Sequence, residues 1–230
     1  MYAPRILTAP LGPATPVSAD QPAGCHQSGW DFTVGDVEMG IWECTPGRLD
    51  SDHGDYDEMM LMMSGRVTIE PSAEPGTSLD IAPGTLWVTP RGWKGTWHIH
   101  QTVRKLYVID NRAGATIAPL HLANAYTHVL PAHAPRPTKV SGDPHVADDV
   151  VWKNERLEVG VWECTPGVYD ISRDGYDELF LVLAGAATLT SSDGVRFDLA
   201  PGTALLTPEG FTGRWEITET VRKVYAIVRH

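Results

Sequence analysis

The sequence predicts an all-β protein built from two copies of one domain, and three observations carry that expectation. The first is internal duplication. Residues 40–47 read GIWECTPG and residues 160–167 read GVWECTPG; Tyr56-Asp57-Glu58 recurs as Tyr176-Asp177-Glu178 and Gly65 as Gly185, all 120 positions apart. APGTLWVTPRGWKGTW at 82–97 returns as APGTALLTPEGFTGRW at 200–215, and Thr102-Val103-Arg104-Lys105 returns as Thr220-Val221-Arg222-Lys223. The spacing there is 118, so the second copy is two residues shorter in the loop matching Glu70 to Leu79. The second observation is texture: short segments rich in Val, Ile, Leu, Thr, Trp and Tyr, punctuated by TPG, SGR, APGT, TPRG and SSDG. Turn signals arrive every eight to twelve residues or so, the spacing of a sandwich or barrel. The third is that no sustained helical period runs through either copy. A short helix has room only at 115–129, TIAPLHLANAYTHVL.

In chain order, residues 1–24 have no counterpart in the repeat and are expected to form an arm. Such an arm often adds a strand to a neighbouring barrel and covers its exposed edge. Residues 25–114 make the first domain, 115–144 a connector, and 145–230 the second domain. Within the connector, LPAHAPRPTKVSGDP at 130–144 is proline-rich and polar, the composition of a linker.

With 230 residues, 42% hydrophobic and 20% charged, the chain can bury two cores. Eighteen basic against 29 acidic residues leave a net charge of −11, which argues against nucleic acid and anionic membrane as partners. No apolar run approaches the roughly eighteen residues of a membrane span, and the opening MYAPRILTAPLGPATP lacks a signal-peptide core, so the expected compartment is the cytoplasm. Cys25, Cys44 and Cys164 form no C-x-x-C pair and are odd in number, against a disulfide framework or a structural zinc.

Gly84…Pro90-Arg91-Gly92 and Gly202…Pro208-Glu209-Gly210 follow a G-x5-P-x-G pattern, and Glu58…Gly65 and Glu178…Gly185 an E-x6-G pattern. With these motifs, and with W-E-C-T-P-G, P-x-G-[WF]-x-G-x-W and T-V-R-K-x-Y, the chain resembles the cupin superfamily. Within it, the wording is similar to the ureidoglycine-aminohydrolase-like branch that also includes the ethanolamine-utilisation cupin. The resemblance implies two tandem jelly-roll β-barrels, a bicupin, over nearly all of both repeats. It does not imply a reaction, because cupins host many unrelated functions.

Metal-binding members of the family use H-x-H, a glutamate and a third histidine after P-x-G to hold a divalent ion. Here the third position is Gly95 and Gly213, and the H-x-H positions read Ser51-Asp52-His53-Gly54 and Ile171-Ser172-Arg173-Asp174. Glu58, Glu178 and His53 are the ligand types left, so neither a metal nor another cofactor is expected. His98-Ile99-His100 spells an H-x-H, but if Gly95 and Trp97 face inward, strand alternation turns both histidines outward. A displaced metal site joining them to His53 is the minority alternative.

The same alternation puts Tyr56, Glu58, Met60 and Met62 on one face, with Tyr176, Glu178, Phe180 and Val182 in the other copy. Trp97 and Trp215 come from the next motif; Lys105 and Tyr107, and Lys223 and Tyr225, share a face beyond it. If that face is inward, Glu58, Lys105, Glu178 and Lys223 are candidate acid/base groups in a barrel interior. Tyr56, Met60, Met62, Trp97, Tyr107, Tyr176, Phe180, Trp215 and Tyr225 are then candidate ligand-binding residues. A structural alternative stays open: each Glu–Lys pair fixes the register of its barrel and the aromatics are ordinary core. Arg104 and Arg222 alternate outward, and Cys44 and Cys164 read as buried, inert thiols. His53 and the methionine lining favour copy one as the working cavity, while Tyr169 and Arg173 stand near the mouth of copy two.

The expected function is therefore small-molecule binding by a bicupin, extending to catalysis on a small nitrogenous or carboxylated metabolite without the family's metal. Two alternatives stand beside it: a non-catalytic ligand-sensing or structural bicupin, and a metal-dependent one with atypical ligands. A homodimer is an allowed assembly.

Overall fold

Each repeat folds around two long antiparallel strands that bend in the middle. The computed structural model describes residues 5–6, 11, 13–17, 26–112 and 121–230, which hold nineteen strands and no helix. The first ten are β1 (Arg5–Ile6), β2 (Thr15–Pro16), β3 (His26–Val34), β4 (Val37–Cys44), β5 (Gly47–Asp52), β6 (Asp57–Pro71), β7 (Leu79–Ile81), β8 (Thr85–Thr89), β9 (Lys94–Asp110) and β10 (His121–Asn124). There follow β11 (Ala134–Pro135), β12 (Lys139–Gly142), β13 (His145–Lys153), β14 (Leu157–Cys164), β15 (Gly167–Ser172), β16 (Tyr176–Ser191), β17 (Arg196–Leu199), β18 (Ala204–Thr207) and β19 (Thr212–Arg229).

The chain divides into two compact units, Ala9–Ala125 and Tyr126–His230, the latter joined by Met1–Thr8. In the first, the sheet order is β10-β8-β6-β9-β4-β3-β2, with β5 on β9 and β7 on β6. The second runs β1-β18-β16-β19-β14-β13-β11, with β15 on β19, β17 on β16 and β12 on β15. Among the described residues the two repeats thus match strand for strand, except that β12 on β15 has no counterpart on β5.

The glycine of E-x6-G makes the bend. β6 pairs with β9 from Asp57↔Asp110 to Pro71↔Gly95, and its register shifts between Met62 and Val67. Gly65 lies there at φ +89°, and a Cβ on it would collide with the Thr102 carbonyl oxygen; Gly185, at φ +87°, meets Thr220 in the same way. Only glycine tolerates both the left-handed backbone and the close approach. The aspartate of Y-D-E then ties the two motifs together. Asp57 accepts the backbone N–H of Arg91 at 2.8 Å, and Asp177 that of Glu209 at 2.6 Å, so each carboxylate anchors a P-x-G turn.

Each unit has its own aromatic core. One gathers Met60, Met62, Trp87, Trp97 and Tyr107, the other Trp162, Tyr169, Phe180, Trp215 and Tyr225.

The connector corrects one expectation. Of the stretch read as a short helix, residues 115–120 lie outside the described residues, and 121–124 form strand β10, paired with Val88 to Thr85 of β8. The edge of β8 offers unpaired backbone donors and acceptors, and strand addition satisfies them where a helix would not. The proline-rich stretch is also structured: β11 pairs with β13 and β12 with β15. From the N-terminal segment, Arg5 and Ile6 pair with Leu206 and Leu205 of β18, and β2 pairs with β3.

Candidate functional site

In the second barrel a cavity of about 130 Å³ is lined by residues from five strands and two loops. β16 supplies Tyr176 and Glu178; β19 supplies Trp215, Lys223, Tyr225 and Ile227; Trp162 comes from β14, Tyr169 and Ile171 from β15, and Asp148 from β13. Arg173 follows β15, and Arg136 lies between β11 and β12. Glu178, Lys223, Trp215, Tyr169 and Arg173 are buried and form the floor, whereas Asp148, Arg136 and Tyr176 retain exposure and form the mouth. Five of the six residues expected in this copy line the cavity. The sixth, Phe180, packs behind it, 5.6 Å from Trp215 between ring centroids.

The floor is an ion network in an aromatic cage. Lys223 donates to Oε1 of Glu178, and Arg173 Nη2 stands 2.6 Å from Oε2. Arg173 is spent on its neighbours, its Nε donating to Thr207 Oγ1 at 3.0 Å and its Nη1 to the Tyr176 hydroxyl at 3.3 Å. The Lys223 ammonium sits 4.5 Å from the ring centroid of Phe180, 4.8 Å from Trp162 and 5.6 Å from Trp215. Burial alone would raise the Glu178 carboxyl pKa, but Arg173 and Lys223 outweigh it and hold it below the ordinary value. The same burial pushes Lys223 down against the pull of Glu178. At the mouth Asp148 accepts from the Tyr225 hydroxyl at 2.8 Å, and loss of water around its carboxyl raises its pKa. Three cationic side chains and two carboxylates thus meet in one small space.

Barrel one repeats the pair with different company. Lys105 Nζ donates to Glu58 Oε1 at 2.7 Å, lies 3.1 Å from Met60 Sδ, and sits 5.0 Å from the Trp97 centroid and 5.8 Å from that of Tyr107. Where copy two has Arg173, His53 turns Nε2 toward Glu58 at 3.6 Å and shares a 2.8 Å hydrogen bond between Nδ1 and Thr89. Burial, reinforced by Lys105, lowers the His53 pKa to about 4 despite Glu58. Tyr56 stacks on His53 at 4.8 Å, and its own pKa is pushed up to about 12 by burial and Glu58. Tyr107 donates to Glu38 at 3.0 Å. Of the other six expected residues of this copy, Glu58, Met60, Trp97 and Tyr107 surround Lys105, Met62 pairs with it across the sheet, and Tyr56 joins through His53. The sequence favours copy one as the working cavity; the cavity of about 130 Å³ described above belongs to copy two. Met60 and Met62 are packed to at most 1% exposure, and β8 brings Trp87 opposite Met60 where β18 brings Leu205 opposite Phe180.

A family model described as the EutQ-like cupin domain matches residues 33–107 and again 153–225. The chain belongs to this cupin family. Among solved structures, a protein of unknown function from Pseudomonas syringae pv. tomato is similar over 98% of this chain and 99% of its own, at 20% identity and a TM-score of 0.76. Ylba from E. coli is similar over 88% and 82% (10% identity, TM-score 0.64), and a mutant of Bacillus subtilis oxalate decarboxylase over 92% and 76% (14%, 0.53). These likenesses show the fold, a bicupin. No curated protein matches the sequence.

The metal that many cupins hold does not fit these residues. In barrel two the position of the second histidine is Arg173, a guanidinium already bonded to the glutamate, and a Cβ on Gly213 would press on the Phe211 ring. In barrel one Lys105 holds Glu58, and a side chain at Gly95 would strike the Trp93 indole. Among the described residues no three His, Cys, Asp or Glu side chains are placed to hold an ion. His98 and His100 face outward, His98 toward Glu70 at 3.3 Å and His100 bonded to Thr68 at 2.8 Å, away from buried His53.

Arg104 and Arg222 also reach outward, to Glu43 and Glu163. Cys44 and Cys164 are buried, the Cys164 thiol pushed up to about 11 by burial. Sequence reasoning missed Arg136, Asp148, Trp162, Ile171 and Ile227 as lining residues, and placed Tyr169 and Arg173 only near the mouth. It also missed Thr89 and Thr207, which orient His53 and Arg173; their recurrence as T-P-x-G in both copies was the available signal.

Proposed function

We propose that this bicupin binds a small carboxylate-bearing metabolite in the barrel-two cavity, with fixed cations standing where other cupins place a metal. The observation that carries this reading is the charge on the cavity wall: Arg136, Arg173 and Lys223 against Asp148 and Glu178, within about 130 Å³. That volume holds about four waters, or one molecule of a few heavy atoms. Aromatic walls lower the local dielectric and strengthen each charge–charge contact. Glu178 and Lys223 are the acid/base pair of this reading, the ammonium moved toward proton transfer by burial. Barrel one, with its closed Glu58–Lys105 pair and neutral His53, serves as the supporting copy. A cytoplasmic location is part of the same proposal. Light scattering tests the homodimer that completes the proposal.

The test is calorimetric titration with acetate, glycolate, oxalate and malonate, each beside its amide. Oxalate is included because one structural neighbour is an oxalate decarboxylase. Binding of a carboxylate but not its amide, lost in Lys223→Met, supports the reading. Failure of every carboxylate to bind overturns it in favour of a structural bicupin.

A further inference from the structure

The segment between the repeats brings to barrel two an arginine that barrel one lacks. Arg136 is half-buried at the cavity mouth, and its guanidinium carbon lies 4.7 Å over the Tyr169 ring, which stacks on Trp215 at 6.2 Å. Its backbone is strapped down. Arg136 N–H donates to the Pro144 carbonyl at 2.9 Å, Asp170 N–H to the Thr138 carbonyl at 3.1 Å, and β12 pairs with β15 from Lys139↔Tyr169 to Gly142↔Gly167. Among the described residues β5, the counterpart of β15, pairs with β9 alone, and the sequence has no lysine or arginine between Arg5 and Arg48.

The decisive feature is what Arg136 does not touch. Its Nε is buried and has no hydrogen-bond partner among the described residues. Arg173, by contrast, has Nε, Nη1 and Nη2 engaged with Thr207, Tyr176 and Glu178, and Lys223 is engaged by Glu178. A buried N–H left unsatisfied is costly, and an ionic acceptor is its strongest remedy. We propose that Arg136 is the carboxylate clamp of the barrel-two site. The ligand's carboxylate docks on the guanidinium at the mouth while its other end reaches the Lys223–Glu178 floor. The ligand class is accordingly a small acid with a second polar group, a hydroxy acid or dicarboxylate, and its carboxylate specificity resides in the connector rather than in the cupin repeat. This inference rests on the function proposed above, and the following experiment separates the two.

Wild-type protein, Arg136→Ala, Arg136→Lys and Lys223→Met are titrated with malonate, glycolate and their amides, and the melting temperature of each unliganded protein is recorded. Arg136→Ala is expected to weaken malonate about ten- to hundredfold, as for a lost charged hydrogen bond, without changing the affinity for malonamide. Arg136→Lys, which keeps the charge but not the Nε donor, recovers only part of the loss and reports on the clamp even if the alanine variant folds poorly. Equal malonate affinity in wild type and both Arg136 variants overturns the clamp while leaving the cavity function standing. Failure of the wild type to bind any acid overturns both.

Discussion

Replacing Glu178 with glutamine strips the one anion from the barrel-two floor while preserving its shape. Glu178 is 4% exposed, with Arg173 Nη2 2.6 Å from one carboxylate oxygen and Lys223 bonded to the other. The variant leaves a guanidinium and an ammonium facing each other in a buried, aromatic-walled site without a counter-charge. Removing one partner of a buried ion pair costs about 3–5 kcal/mol, because the remaining charge keeps its desolvation penalty and loses its compensation. Here two cations are stranded, so about 3 kcal/mol is the lower bound even though the glutamine carbonyl accepts one hydrogen bond. Glu58→Gln strands Lys105 alone beside a histidine that is neutral at pH 7, and is expected to cost less. The assay is urea unfolding at pH 7 followed by tryptophan fluorescence, with and without malonate. Malonate should stabilise the Glu178→Gln variant more than the wild type, which binds it as well, because in the variant the external carboxylate also replaces the missing charge between Arg173 and Lys223. A loss below about 1 kcal/mol, or equal losses in the two barrels, would refute this account of the floor.

The remaining expectations are narrower. His53 is neutral in the fold down to about pH 4, whereas an unfolded histidine takes up its proton near 6.5; burial sets this, with Glu58, Asp52 and Asp57 pulling upward and Lys105 downward. The unfolded state therefore binds more protons between those values, so stability falls as pH drops from 6.5 to 4, by about 3 kcal/mol, and a His53→Gln variant should flatten that slope in pH-dependent melts. Thr207→Val keeps the side-chain shape but leaves the Arg173 Nε without an acceptor, and should cost about 1–3 kcal/mol in denaturant titration. Gly185→Ala must place a Cβ at φ +87° against Thr220, and should destabilise by more than the roughly 1–2 kcal/mol of the backbone alone; a melting point within error of wild type would count against the bend described here.

Much of the architecture was legible without coordinates because it is local. Turn residues at regular spacing, β-rich segments and motifs repeated 120 and then 118 positions apart specify strand–turn chemistry wherever they occur, and the same glycine reappears where each long strand bends. Alternation from Glu58 likewise put Tyr56, Met60 and Met62 on one face, since a strand's side chains keep a period of two, whereas Lys105, on another strand, meets them only through the pairing of β6 with β9. What depended on tertiary structure was each feature set by a distant partner. His121–Asn124 became a strand because the edge of β8 lay beside it, overriding any helical preference of the segment. The 130 Å³ cavity of barrel two takes its shape from side chains that distant strands supply: Leu205 where barrel one has Trp87, Arg173 where it has His53. Arg136 reads in the sequence as part of a proline-rich linker, and it becomes a wall of the cavity only through the pairing of β12 with β15. Local propensity acts over a few residues, whereas a binding cavity is a meeting of segments far apart in the chain, and only the fold decides which of them meet.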